Sequence, residues 1–182
     1  SHRPPASAAP TNAPASFPPT GTSWQRVSGA GGEGAVLIAS APWEGVTEGH
    51  PCVVEPQVLW IASERHYRMY YRGGWSVGAI GVAISNDGLA WSKRADPVLT
   101  LNSSRSGAMQ PWVVVPSELG SYREWRLFTS AWDLVSKSSR THIASSHDGK
   151  AWVLEPLAHV PLPAKSEGRA TLFGNRVVWR ER

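Results

Sequence analysis

A single cysteine, Cys52, in a chain of 182 residues excludes an internal disulfide and a cysteine-based metal site. Between His50-Pro51 and Val53-Val54 it reads as a small buried apolar side chain. No apolar run approaches the length that spans a bilayer, so no transmembrane segment is expected. Charge of one sign is scarce as well: 18 basic and 14 acidic residues leave a net charge of +4, and the basic ones form no block. Arg123, Arg126 and Arg140 fall in strand-like segments instead of a basic helix or arm, which speaks against a nucleic-acid partner. His50, His66 and His142 lack metal-ligand spacing, and neither a metal nor another cofactor is expected. A helix-period stretch of useful length is also missing, which makes the class all-β. What is abundant is tryptophan, ten in all. In a β protein such a number marks repeated packing positions or flat faces for stacking.

Residues 1–22 stand apart from the rest, built from Pro, Ala, Ser and Thr, and the first acidic residue is Glu33. That composition suits a flexible linker, the mature end left after a targeting peptide, or an arm lying on a partner. The second of these is compatible with a secreted or an organellar location and selects neither. Residues 23–182 form the folded part.

Two segments of that part repeat each other. Gly81-Val82-Ala83-Ile84-Ser85-Asn86-Asp87-Gly88-Leu89-Ala90-Trp91 is matched by His142-Ile143-Ala144-Ser145-Ser146-His147-Asp148-Gly149-Lys150-Ala151-Trp152, with the tryptophans 61 residues apart. A weaker copy, Gly21-Thr22-Ser23-Trp24, precedes the first by 67 residues. Such steps suit four-stranded propeller blades. Each copy reads as a hairpin, because Gly adopts positive φ freely and Asp bonds its own backbone in a turn. Asp87 and Asp148 are therefore turn formers, and Trp91 and Trp152 pack between blades. Upstream of each hairpin stands another matched pair. Glu55-Pro56-Gln57-Val58-Leu59-Trp60 leads to Tyr67-Arg68-Met69-Tyr70-Tyr71-Arg72, and Gln110-Pro111-Trp112-Val113-Val114-Val115 leads to Trp125-Arg126-Leu127-Phe128-Thr129-Ser130. A third unit starts at Glu167-Gly168-Arg169 and runs to Arg176-Val177-Val178-Trp179. The pattern predicts a partial β-propeller of about three four-stranded blades.

The segments Val53-Val54-Glu55-Pro56-Gln57-Val58 and Tyr70-Tyr71-Arg72-Gly73-Gly74, with the twice-seen Ala-x-Ser-x-Asp-Gly-x-x-Trp, resemble the five-bladed propellers of glycoside hydrolase families 43, 32, 68, 117 and 130. These are the arabinanase, invertase and levansucrase type, and the resemblance covers roughly residues 35 to 180. It implies about three of five blades, and three acidic positions on successive innermost strands that face the axis. By position the general base falls on Glu55, the residue that tunes acidity on Gln110, and the general acid on Glu167. Such chemistry needs one carboxyl protonated and another ionised, with a third charge nearby to keep the acid's proton in place. Here Gln110 cannot ionise, Glu55 is a methylene longer than the Asp implied, and Arg169 follows Glu167-Gly168 where proline is implied.

The expected function is accordingly a glycosidase-like propeller module that is non-catalytic, a structural or binding subunit of a larger assembly. The alternatives are an active glycoside hydrolase, or a fragment of one, using Glu55 as base and Glu167 as acid, and a carbohydrate-binding module. In the last, Trp43, Trp75, Trp112 and Trp132 supply stacking faces, while Arg72 and Asp133 supply hydrogen bonds. Propellers close into rings. An open blade edge beside Val177-Val178-Trp179 therefore predicts that the segment continues in a longer protein, meets a second copy, or docks on a protein partner.

Overall fold

In the computed structural model the described residues are 34–75, 78–101, 107–116, 123–133, 138–156, 169–173 and 176–180. The side chains of Met109, of 132–140 and of 169–180 lie outside the description. Among the described residues the only helical turn is a short 3₁₀ element, Pro42–Glu44, and no helix is long and apolar enough to cross a membrane.

The repeat becomes two antiparallel sheets of one plan. In the first, β1 (Val53–Ile61), β2 (His66–Gly73), β3 (Ala79–Ser85) and β4 (Ser92–Lys93) pair in chain order, and a short β5 (Leu99–Thr100) adds to β3. In the second, β6 (Ala108–Val114), β7 (Trp125–Asp133), β8 (Ser138–Ser146) and β9 (Val153–Leu154) pair in the same order. A hairpin of β10 (Arg169–Phe173) and β11 (Arg176–Arg180) forms a separate two-stranded sheet. The fold is all-β, with consecutive four-stranded blades.

The two Asp-Gly turns are copies at the level of single hydrogen bonds. The Asp87 carboxylate accepts from the Leu89 and Ala90 N–H groups and from the Ser85 hydroxyl, and the Ser85 oxygen accepts from the N–H groups of Asp87 and Gly88. Asp148 and Ser146 repeat this with Lys150, Ala151 and Gly149. Gly88 and Gly149 take φ of 77° and 69°, the left-handed region that a side chain disfavours. The N–H donors hold both aspartates below the usual carboxylate range.

The blades pack face to face. Leu59, Ile61, Tyr70, Ile80 and Val82 of the first form one core with Val113, Trp125, Leu127, Ala144 and Trp152 of the second. Buried Arg68 binds that seam. Its Nη1 donates to the Asp148 carbonyl at 2.9 Å, its Nη2 to both Glu64 oxygens, and its guanidinium lies 5.1 Å from the Trp125 ring centre. The Tyr70 hydroxyl donates to the Gly149 carbonyl at 2.6 Å, and Trp152 meets the Tyr70 ring edge-on. The opposite face of the first blade carries a smaller core of Met69, Tyr71 and Ala83, against which Val36, Leu37, Trp43, Val53 and Trp91 pack.

Candidate functional site

The first strands of the two blades share a defect. Pairing of β1 with β2 slips between Val54 and Gln57, and pairing of β6 with β7 slips between Met109 and Trp112. The residues at the slips are Glu55 and Gln110, with φ of 55° and 50°. The proline that follows each one disfavours the right-handed helical region for it. An ordinary side chain in the left-handed region costs about 1–3 kcal/mol and persists where the surroundings enforce it, a condition concentrated at functional sites.

The bulges bring Glu55 and Gln110 together. The Glu55 Oε2 accepts the backbone N–H of Gln110 at 2.7 Å. Arg72, near the end of β2, places Nη1 3.9 Å from the other carboxylate oxygen. Its Nη2 donates to the Trp75 carbonyl at 3.0 Å, and its guanidinium lies 5.7 Å from the Trp75 ring centre. In the second blade Ser130 takes the place of Arg72 and donates to the Gln110 side-chain oxygen at 3.4 Å. The site thus holds a half-buried carboxylate, a guanidinium and an amide, beside an indole that is 68% exposed. A hydroxyl that accepts from Arg72 and donates to Glu55 fits the 3.9 Å gap between them, which is too long for a direct hydrogen bond.

Two residues that the sequence reading passed over hold the first strands in line. Gln57 donates from Nε2 to the Val113 carbonyl at 2.9 Å, while its Oε1 accepts the Val113 N–H, so its amide imitates a strand peptide. The Ala108 N–H donates to the Gly78 carbonyl at 2.7 Å. A Cβ at Gly78 would lie 2.5 Å from the Ala108 oxygen, so only glycine permits this approach. The repeat carried no signal for either residue, because Trp112 stands at the equivalent of Gln57.

The remaining candidates are spread out. Trp43, on the 3₁₀ turn, stacks on Tyr71 at 5.9 Å, donates Nε1 to the Ala95 carbonyl and lies against Gly73 and Gly81. Its indole is half-buried among these contacts. Trp112 lies within β6, exposed, on the face turned away from the first blade. Trp132 and Asp133 end β7, with side chains outside the description, and Glu167 lies outside the described residues. No group of three potential metal ligands occurs among the described residues.

No protein-family model matches the chain, and no curated protein sequence matches it significantly. Solved structures do match. A fructofuranosidase from Schwanniomyces occidentalis complexed with fructose aligns with TM-score 0.55 and 15% identity, over 65% of this chain and 26% of that one. A β-fructofuranosidase from the same organism complexed with fructosyl-erythritol aligns with TM-score 0.51 and 16% identity, over 69% and 26%. The two blades therefore have the fold of the β-propeller glycosidases, and the chain spans about a quarter of the length of the fructofuranosidases it matches.

Proposed function

We propose that this chain is a glycosidase-like propeller module that binds a sugar at the Glu55–Arg72–Gln110 site without cleaving it, as a component of a larger assembly. One observation supports the reading: Gln110, whose backbone N–H meets Glu55, is neutral at the position where the resemblance implies the carboxylate that tunes the acid. Glycoside cleavage by the usual route needs two carboxyl groups, one giving a proton while the other attacks or activates water. Glu55 meets the N–H of Gln110 and the charge of Arg72, and neutral Gln110 supplies no negative charge to hold a proton on a neighbouring acid. What remains suits recognition. Glu55 accepts from a hydroxyl, Arg72 donates to one, and the exposed Trp75 stacks on the apolar face of a sugar ring.

The test combines calorimetric titration with neutral oligosaccharides and an assay for reducing ends. Binding that Trp75→Ala and Arg72→Ala each weaken at least tenfold, with no release of reducing ends, supports the reading. Hydrolysis abolished by both Glu55→Gln and Glu167→Gln would establish a hydrolase in its place. Absence of any sugar binding by the folded chain would remove the binding role.

A further inference from the structure

The corner that carries Arg72 and Trp75 is built around an indole from an earlier part of the chain. A Cβ on Gly73 would lie 2.3 Å from the ring of Trp43, and one on Gly81, in β3, would lie 2.6 Å from it. Neither glycine takes a positive φ, so the backbone conformation does not call for glycine at these places. The second blade confirms this, for it carries Ala131 where the first has Gly73 and His142 where the first has Gly81. A glycine inside a strand weakens it and marks a close approach. In the first blade that approach is made by Trp43.

We infer that Trp43 and Glu44 are positioning residues that fix the Arg72–Trp75 corner, resting on the proposed sugar site for what the corner serves. Two connections reach the corner from the 3₁₀ turn. The Trp43 indole lies on Gly73, itself held by stacking on Tyr71 and by Nε1 donating to the Ala95 carbonyl at 2.7 Å. Beside it runs a backbone path. The Cys52 N–H donates to the Glu44 carbonyl at 2.8 Å, and the Gly74 N–H donates to the Cys52 carbonyl at 3.1 Å. Gly74, with φ of 78°, then turns the chain so that the Trp75 carbonyl accepts from Arg72 Nη2 at 3.0 Å. Glu44 anchors the start of this path. Its buried carboxylate accepts from the Ser40 and Ala41 N–H groups and from Lys93 of β4, so the turn cannot shift without stranding a buried charge. The Trp75 ring is exposed and meets the Arg72 guanidinium, so its place depends on the backbone that carries it. A binding group stays within about 0.5 Å of its working geometry only where the residues behind it are locked.

The test first reads the corner without a ligand. Amide hydrogen exchange at Gly74 is followed in the full chain by nuclear magnetic resonance, with the Gly149 amide of the second blade reporting general opening. Trp43→Ala is expected to speed exchange at Gly74 by about tenfold or more relative to Gly149. An equal rise at both amides would make Trp43 a general stabiliser and overturn the inference. Should Trp43→Ala fail to fold, Trp43→Leu, which also takes the ring away from Gly73, is read in the same way. The second measurement is a double-mutant cycle on affinity for neutral oligosaccharides. Trp43→Ala should weaken binding about fivefold or more in the wild type, and less than about twofold in Trp75→Ala, because its effect passes through Trp75. Equal losses in the two backgrounds overturn the positioning role. Selective exchange at Gly74 in a chain that binds no oligosaccharide supports the fixing of the corner and removes only the sugar-binding reading.

Discussion

Burial of a carboxylate is costly unless its oxygens are met by donors, and the Glu44 carboxylate shows how fully that can be done. Its side chain is inaccessible to solvent, and it accepts from the Ser40 and Ala41 N–H groups, the Tyr71 hydroxyl and the Lys93 ammonium. Burial alone would raise its pKa, but Lys93 and the other donors outweigh that and lower it below the ordinary value of 4.5. Removing one partner of a buried ion pair strands the other, so Glu44→Gln should cost about 3 kcal/mol in urea denaturation at neutral pH. The sign of the pH dependence follows from the lowered pKa. The contribution is complete above the unfolded value and is lost as pH falls through the folded one, so wild type and variant should converge under acid below about pH 4.5. The tryptophans separate at the same scale. Trp43→Ala opens a cavity between the 3₁₀ turn and β2 and should cost about 3 kcal/mol. Trp75→Ala, at an exposed position, should change stability by no more than about 0.5 kcal/mol. A pair of denaturation curves decides both.

Between elements, the two turns offer an internal control. Gly88 and Gly149 share their backbone conformation and their hydrogen-bond pattern, so Gly→Ala carries the same local penalty at each, about 1 kcal/mol. Only at Gly149 does the new methyl group press on Arg68, Tyr70 and Trp125, at 2.6–2.9 Å, and overpacking of that kind adds about 1–3 kcal/mol. Gly149→Ala should therefore destabilise more than Gly88→Ala, by at least about 1 kcal/mol, in equilibrium unfolding. Equal losses would show that the Asp148-Gly149 turn does not seat against β2. The hairpin motif made both turns legible in the sequence, because turn residues act on their own backbone. It could not show which of the two is covered, since that depends on residues some 80 positions away.

For the molecule as a whole, Gln57 adds to the blade-to-blade contacts made by Arg68, Tyr70 and Glu55. Gln57→Ala leaves the N–H and carbonyl of Val113 without the amide that pairs them, at about 1–3 kcal/mol. If the blades melt as one unit held at this seam, the variant should show tryptophan fluorescence and far-ultraviolet dichroism transitions that no longer coincide, where wild type shows one transition. Coincident transitions of unchanged midpoint in the variant would mean that the apolar core and the remaining hydrogen bonds of the seam join the blades without Gln57. The sequence by itself determined the all-β class, the repeat and its turns, for these rest on short-range alternation and on what Gly, Asp and Ser do locally. It also marked Glu55 and Gln110, through the proline that follows each. Only the tertiary structure decided that Glu55 reaches the backbone of Gln110, that Arg72 lies beside both Glu55 and Trp75, and that Trp43 stacks on Tyr71. The physical reason is distance along the chain: those contacts join residues 3 to 55 positions apart through a strand register and a bulge, and neither is written in the residues that make the contact.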